Sequence, residues 1–179
     1  MIRVGKKVLL GLILFATIVA GWILLKASLN TDSPIVVATS ESMTPAIDVG
    51  DLLIVKGVDP EDVAVGTVIV FHPKADPGQL IVHRVVEVIH QEKQIIFITK
   101  GDNNPETDKW MVPANRLVGI VVGRIPYLGQ VAIFARSIYG TVLIVVLIAI
   151  TTILIFAEYR RSKRSENLYS NPEALNFFQ

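Results

Sequence analysis

The chain has 179 residues, 51% of them hydrophobic and 18% charged, with a formal net charge of +1 and no cysteine. A mean hydropathy of +0.53 is too high for an ordinary soluble domain, yet the charges are too many for a wholly membranous chain, so the sequence divides into membrane and non-membrane parts. The near-neutral balance, with basic residues gathered toward the two ends, argues against nucleic acid as a partner, and the lack of thiols excludes disulfide frameworks, thiolate zinc sites and cysteine nucleophiles.

The first element in chain order is an uncharged run over residues 8–25, preceded by Arg3, Lys6 and Lys7. As a helix it is about 27 Å long at roughly 1.5 Å per residue, close to the thickness of a hydrocarbon core. A cleaved secretory signal has the same charged start. This run exceeds the usual apolar core of such signals, however, and Lys26 interrupts any Ala-x-Ala site. The expectation is an uncleaved transmembrane anchor behind a short cytoplasmic segment, residues 1–7.

From residue 26 to 136 the pattern changes to short β-branched runs: PIVVAT (34–39), DLLIV (51–55), GTVIVF (66–71), LIVHRVVEVI (80–89), QIIFITK (94–100) and RLVGIVVGRI (116–125). Turn residues separate them at 49–51, 73–78, 91–93 and 101–105. Short strands broken by Gly, Pro and Asp, with no long helical period, predict a mainly β fold: an antiparallel domain built as a sandwich or open barrel.

A second apolar run, 137–157, ends at Glu158 and a basic cluster of Arg160, Arg161, Lys163 and Arg164, and reads as a second transmembrane helix. An all-round apolar helix of this length has too little to hide behind in so small a β domain. Basic residues outside both spans place both termini in the cytoplasm. Residues 26–136 then become an extracytoplasmic domain and 158–179 a cytoplasmic tail, in a multi-pass protein of the cell membrane.

Three stretches between the spans carry chemistry. Ser42, in SESMTP (40–45), leaves a predicted strand, where a hydroxyl can be exposed beside free backbone N–H groups; alone this is weak, since Ser, Thr and Pro are ordinary loop residues. An activated serine needs a base that titrates near neutral pH, and imidazole supplies one. His72 precedes Pro73 in a turn and His90 ends a strand beside polar residues, whereas His83 interrupts the apolar run LIVHRVV, although it could also occupy a strand's polar face. No HExxH or comparable spacing occurs, so no metal and no cofactor are expected. The turn GDNNPETD (101–108) carries three carboxylates, Asp102, Glu106 and Asp108, any of which could orient the base; Asp102 fits equally well as a cap of its own turn. Residue chemistry alone leaves these three level.

Taken together, SESMTP followed by GD, VGTVIVF, IVHRVV, TKGDNN with a later Asp, and VVGRIPYLG resemble type I signal peptidases in order and approximate spacing over roughly residues 35–135. The histidine at 83 is similar to the endoplasmic-reticulum and archaeal subtype, whereas the common bacterial form looks like a Ser/Lys enzyme. The resemblance implies Ser42 as nucleophile, His83 as base and Asp108 as the acid. It matches Asp102 to the acidic residue of the GDNN motif, and Ser40 to a hydroxyl that helps bind the oxyanion. It also implies small substrate residues before the cut and an extended substrate along a strand edge. Where this subtype often has Ser-Gly-Ser-Met-Glu-Pro, this chain has Glu41 and Thr44, so the backbone at 41 is not expected to need a positive φ.

The expected function is therefore removal of signal peptides from secreted precursors by a membrane-bound serine endopeptidase, with the lipid membrane and the precursor as partners and further subunits undetermined. Three other readings remain: a Ser/Lys hydrolase using Lys56, Lys74, Lys93 or Lys100; a non-catalytic, membrane-anchored precursor-binding or scaffold subunit; and an extracytoplasmic ligand-binding module. Only a catalytic reading requires Ser42, His83 and Asp108 to occur together.

Overall fold

A computed structural model describes residues 2–91 and 94–170, with side chains from 9 to 161 (other than 92 and 93) and at 163. Most of the expected turn at 91–93, and Lys93 with it, lies outside the described residues, as do residues 171–179 of the tail.

Helix α1 (Ile2–Ser28) has no acid in its first turn and no proline. It stops where Asn30 turns left-handed (φ 48°), a conformation asparagine tolerates, while Thr31 N–H donates back to the Lys26 carbonyl at 3.2 Å. Its stretch Leu9–Ser28 is long and apolar enough to cross a membrane and is unburied by the rest of the chain. The helix end is fastened to the β domain: Gly57 N–H donates to Leu29 O at 2.8 Å. A Cβ at 57 would lie 1.9 Å from Asn30 O, so only glycine allows this approach.

The β domain is one antiparallel sheet of seven strands, curled into an open half-barrel. Its strands are β1 (Ile35–Val37), β2 (Leu52–Lys56), β3 (Val68–Phe71), β4 (Ile81–Gln91), β5 (Gln94–Lys100), β6 (Val112–Pro113) and β7 (Leu117–Ile125), in the order β1-β2-β7-β3-β4-β5-β6. All six apolar runs of the sequence appear as strands. The short β6 was not foreseen: its proline reads as a breaker, but at a sheet edge no ladder partner is needed on its far side.

Alternation gives the sheet two apolar faces. On β3, Val68 and Val70 join a cluster with Val36, Met43, Ile47, Leu53 and Val55, while Ile69 and Phe71 join one with Val63, Val85, Phe97 and Val112. The register pairs Ile69 with His83 and Val85 with Thr99, so His83 shares a face with Val85 and Thr99 at the margin of the second cluster.

By its contacts the chain divides into Met1–Gln130 and Val131–Gln179, with α2 (Gly129–Arg136) crossing the division. Helix α2 was also unforeseen, because eight residues are too few to print a helical period. Helix α3 (Ile138–Ser170) is capped by Ser137, whose Oγ accepts from Gly140 N–H at 3.1 Å. Its part Ile138–Arg161 is long and apolar enough to cross a membrane.

Phe97 is fully buried in the second cluster, so Phe97→Ala should destabilise the detergent-solubilised chain by about 3–5 kcal/mol in denaturant unfolding. A loss below about 1 kcal/mol would mean that this face is not packed.

Candidate active site

After β1 the chain is held by reciprocal bonds, Ala38 N–H to Asp51 O at 2.9 Å and Gly50 N–H to Ala38 O at 2.8 Å. The intervening loop folds into a tight turn, with Thr44 N–H on Glu41 O at 3.1 Å and Ile47 N–H on Met43 O at 2.9 Å. Met43 and Ile47 point into the first apolar cluster, and this anchorage leaves Ser42 half-buried with Ser40 and Glu41 exposed. Ser40 Oγ lies 3.1 Å from Ser42 Oγ. Among the described non-glycine residues only Asn30 and Tyr127 have positive φ, so Glu41 sits without left-handed strain.

His83 is held by its sheet face. Its side chain is 8% exposed and that of Asp108 5%, and His83 Nδ1 meets Asp108 Oδ2 at 2.6 Å. The same carboxylate oxygen accepts from Thr99 Oγ1 at 2.6 Å, and Asp108 N–H donates to Thr99 O at 2.8 Å. An ionised carboxylate only accepts, so this arrangement puts the imidazole proton on Nδ1 and leaves the Nε2 lone pair free.

The structure brings Asp108, not Asp102, to His83. Both oxygens of Asp102 go to Arg84, Oδ1 to Nε at 2.8 Å and Oδ2 to Nη2 at 2.6 Å, while Arg84 Nη1 donates to Gly66 O at 2.8 Å. The hydrogen bonds that Arg84 donates to Asp102 raise its pKa above its already high ordinary value, against a smaller desolvation effect, so the guanidinium stays charged. This ion pair fixes the turn that backs the serine loop: Asn103 N–H donates to Ser42 O at 2.8 Å and Asn103 Nδ2 to Glu41 O at 3.2 Å. A Cβ on Gly101 would lie 2.6 Å from Ser42 O, which explains the glycine before Asp102.

A second arginine braces the other side. Arg124, on β7, donates through Nη1 to Ala46 O at 2.7 Å and through Nη2 to Asp48 Oδ2 at 2.8 Å, and its Nε bonds Asp51. Asp51 is fully buried and also accepts from the N–H groups of Asp48 (2.8 Å) and Tyr127 (3.2 Å). Sequence reasoning did not single out Thr99, Arg84, Asn103, Asp51 or Arg124. All five lie within the quoted motif pieces, and the pairing of the last two is visible only once β2 and β7 are adjacent, with Leu53 opposite Arg124.

Ser40, Ser42 and His83 line one cleft of about 270 Å³, walled by Val36, Met43 and Leu80 among others. No hydrogen bond joins Ser42 to His83 among the described residues. They face the same cavity, as a nucleophile and base do before substrate closes their geometry. Another hollow of about 560 Å³, by Lys26, Thr31 and His72, holds none of these side chains. His90, Lys56 and Lys74 are exposed, and neither they, Lys100 nor Glu106 line the cleft. A serine beside an imidazole that a buried carboxylate orients can attack a carbonyl and form an acyl intermediate.

Residues 7–91 match the family described as signal peptidase, peptidase S26. The chain is 33% identical over 158 residues to the signal peptidase complex catalytic subunit sec11 of Schizosaccharomyces pombe, an alignment that covers 74% of this chain and 83% of that protein. It is 37% identical over 127 residues to the signal peptidase complex catalytic subunit SEC11 of Lodderomyces elongisporus (66% and 75%). It is 35% identical over 117 residues to the human signal peptidase complex catalytic subunit SEC11C (60% of each).

Arg124→Ala would strand the Asp51 carboxylate without its cation. Because the Arg124 side chain is 31% exposed, the expected loss is roughly 2–3 kcal/mol, below the 3–5 typical of a fully buried pair. Denaturant unfolding reads it, and a change within 0.5 kcal/mol, on the order of an ordinary surface substitution, would show that the clamp does not hold the loop.

Proposed function

The chain belongs to the signal peptidase family, peptidase S26, and from that premise we propose that Ser42 is its nucleophile, His83 its general base and Asp108 the acid that orients the base. It is a signal peptidase, a hydrolase that removes signal peptides, and its substrates are secretory precursors. The observation that carries the residue assignment is the buried chain of bonds from Thr99 through Asp108 to His83 Nδ1, with His83 lining the cleft that Ser42 also lines.

In the proposed reaction Ser42 Oγ attacks the carbonyl carbon of the scissile bond as its proton passes to His83 Nε2. The oxyanion that forms is bound by Ser40 Oγ and the backbone N–H of Ser42, each such donor worth about 10²–10³ in rate. His83 returns the proton to the leaving amine nitrogen, the C–N bond breaks, and an acyl-enzyme remains on Ser42. Water then attacks the ester carbon while His83 takes one of its protons, and collapse releases the carboxylate product and restores the Ser42 hydroxyl. Throughout, Asp108 holds the Nδ1–H tautomer and stabilises the imidazolium. Asp102 acts through Arg84 and the 101–104 turn as a positioning residue and does not touch the reacting atoms.

Residues 26–136 form the proposed catalytic domain on the extracytoplasmic side of the cell membrane, with 1–7 and 158–179 in the cytoplasm and 8–25 and 137–157 as spans. Confining enzyme and precursor to one bilayer raises their effective concentration and sets the depth at which the bond is presented. An extended substrate with small residues before the cut suits a cleft of about 270 Å³ lined in part by Val36 and Val37 of the edge strand β1, whose outer edge can take an added strand.

The test is cleavage of a model precursor by the purified full chain in detergent. Ser42→Ala and His83→Ala should each lower kcat by about 10⁴-fold or more, and Asp108→Asn by a similar factor, since it permits the wrong tautomer. His83→Lys should also be inactive. Asp102→Asn should lose only about 10-fold if each lost charge-assisted bond costs 1.5–3 kcal/mol partly absorbed by the turn. Retained cleavage in folded Ser42→Ala would overturn the nucleophile assignment. Equal losses for Asp102→Asn and Asp108→Asn would overturn the division of roles between the two acids. No cleavage by the wild-type chain alone would favour a precursor-binding subunit or dependence on other subunits.

A further inference from the structure

The reaction described above makes no use of the second half of α2. Residues 131–135 read Val-Ala-Ile-Phe-Ala, and in the structure Val131 is 67%, Phe134 51% and Ile133 37% exposed. Val131 and Phe134 are three residues apart and share a helix face. A helix of eight residues is far below the length that holds its shape in water by itself, so it depends on a surface to lie against.

Continuity of the chain says what that surface is. Ser137 alone separates α2 from α3, and the corner between them is built rather than loose. Ser137 N–H and Oγ both donate to Phe134 O, at 2.9 and 2.7 Å, and Ser137 Oγ accepts from Gly140 N–H. A Cβ at 140 would lie 2.0 Å from Phe134 O and 2.8 Å from Ala135 Cα, so glycine is needed for the end of α2 to pack on the first turn of α3. At that corner stand Arg136 and Tyr139, the latter 77% exposed; each has an apolar body and a polar tip suited to headgroup depth.

We propose that residues 131–136 form an interfacial helix lying in the boundary between headgroups and acyl chains, with Val131 and Phe134 immersed in lipid and Arg136 and Tyr139 at headgroup level. The inference rests on the reading that α3 spans a membrane from Ile138 onward. Lipid is the occupant because the span enters hydrocarbon two residues after the helix ends, so the apolar phase nearest to this face along the chain is the bilayer itself.

The absence of cysteine from the sequence makes the test clean. Single-cysteine variants Val131→Cys, Phe134→Cys, Thr152→Cys within the span and Lys74→Cys on an exposed turn are labelled with a nitroxide. The full chain is reconstituted into vesicles of phosphatidylcholine and phosphatidylglycerol, with folding checked by circular dichroism and gel filtration. Power saturation then compares collisions with oxygen, which concentrates in lipid, and with a water-soluble nickel chelate. Labels at 131 and 134 should favour oxygen as the Thr152 label does and differ from the Lys74 label. Nickel access equal to that at Lys74 would overturn the proposal, because the face would be in water. Low access to both reagents would overturn it too, since the face would be covered by protein, a second copy of the chain included. Nickel access at Thr152 would instead overturn the span reading on which the proposal rests.

Discussion

A carboxylate taken out of water must have its charge matched and its lone pairs filled, and two such carboxylates, Asp108 and Asp51, govern the geometry around Ser42. Asp108 gathers the Thr99 hydroxyl and the His83 ring nitrogen on one oxygen, and that convergence gives the imidazole one tautomer and one orientation. Asp51 gathers Arg124 and two backbone N–H groups, and Arg124 in turn holds Ala46 and Asp48 of the loop that began at Ser42. One buried acid aims the proposed base and the other fixes the strand of loop behind the proposed nucleophile.

The partly buried carboxylate of Asp102 in the same region serves a different end. Asp102 and Arg84 form a fork-to-fork pair on the face of β4 opposite His83 and hold the 101–104 turn against the serine loop, where Asn103 donates to the carbonyls of Glu41 and Ser42. A serine on a loop would otherwise wander. Here it is pinned from below by Met43 and Ile47 in the apolar cluster, from one side by the Asp102 turn and from the other by Arg124. Residues from three of the distant motif pieces, around Ser42, His83 and Asn104, line the one cleft, while Asp51 and Arg124 from two others brace the loop behind it.

Much of this was legible beforehand. Six strands announced themselves by β-branched runs between turn residues, and two helices apolar enough to cross a membrane by length and freedom from charge, because those signals are local. The elements that were missed are those without period: β6, two residues including a proline, and α2, eight residues mostly apolar on every side. His83 stood out as an ionisable group inside an apolar run, whereas Ser42 is an ordinary loop residue that gained weight only from the motifs around it, and neither Thr99 nor Arg124 was singled out.

What the sequence by itself determined is the class of chemistry and the layout: an apolar run at each side of a β domain, no thiol, two serines in a strand-to-loop turn, one histidine inside an apolar strand and three acids in one turn. Which acid meets the histidine was decided only by the tertiary structure. Asp102 and Asp108 are six residues apart in one turn and chemically identical, so no local rule separates them. The register of β4 on β5 does: Arg84 lies opposite Lys100, beside Asp102, on one face, while His83 looks to the other, where Thr99 and Asp108 wait. A one-residue step along a strand reverses the face a side chain presents, and that step assigns one acid to the arginine and the other to the histidine.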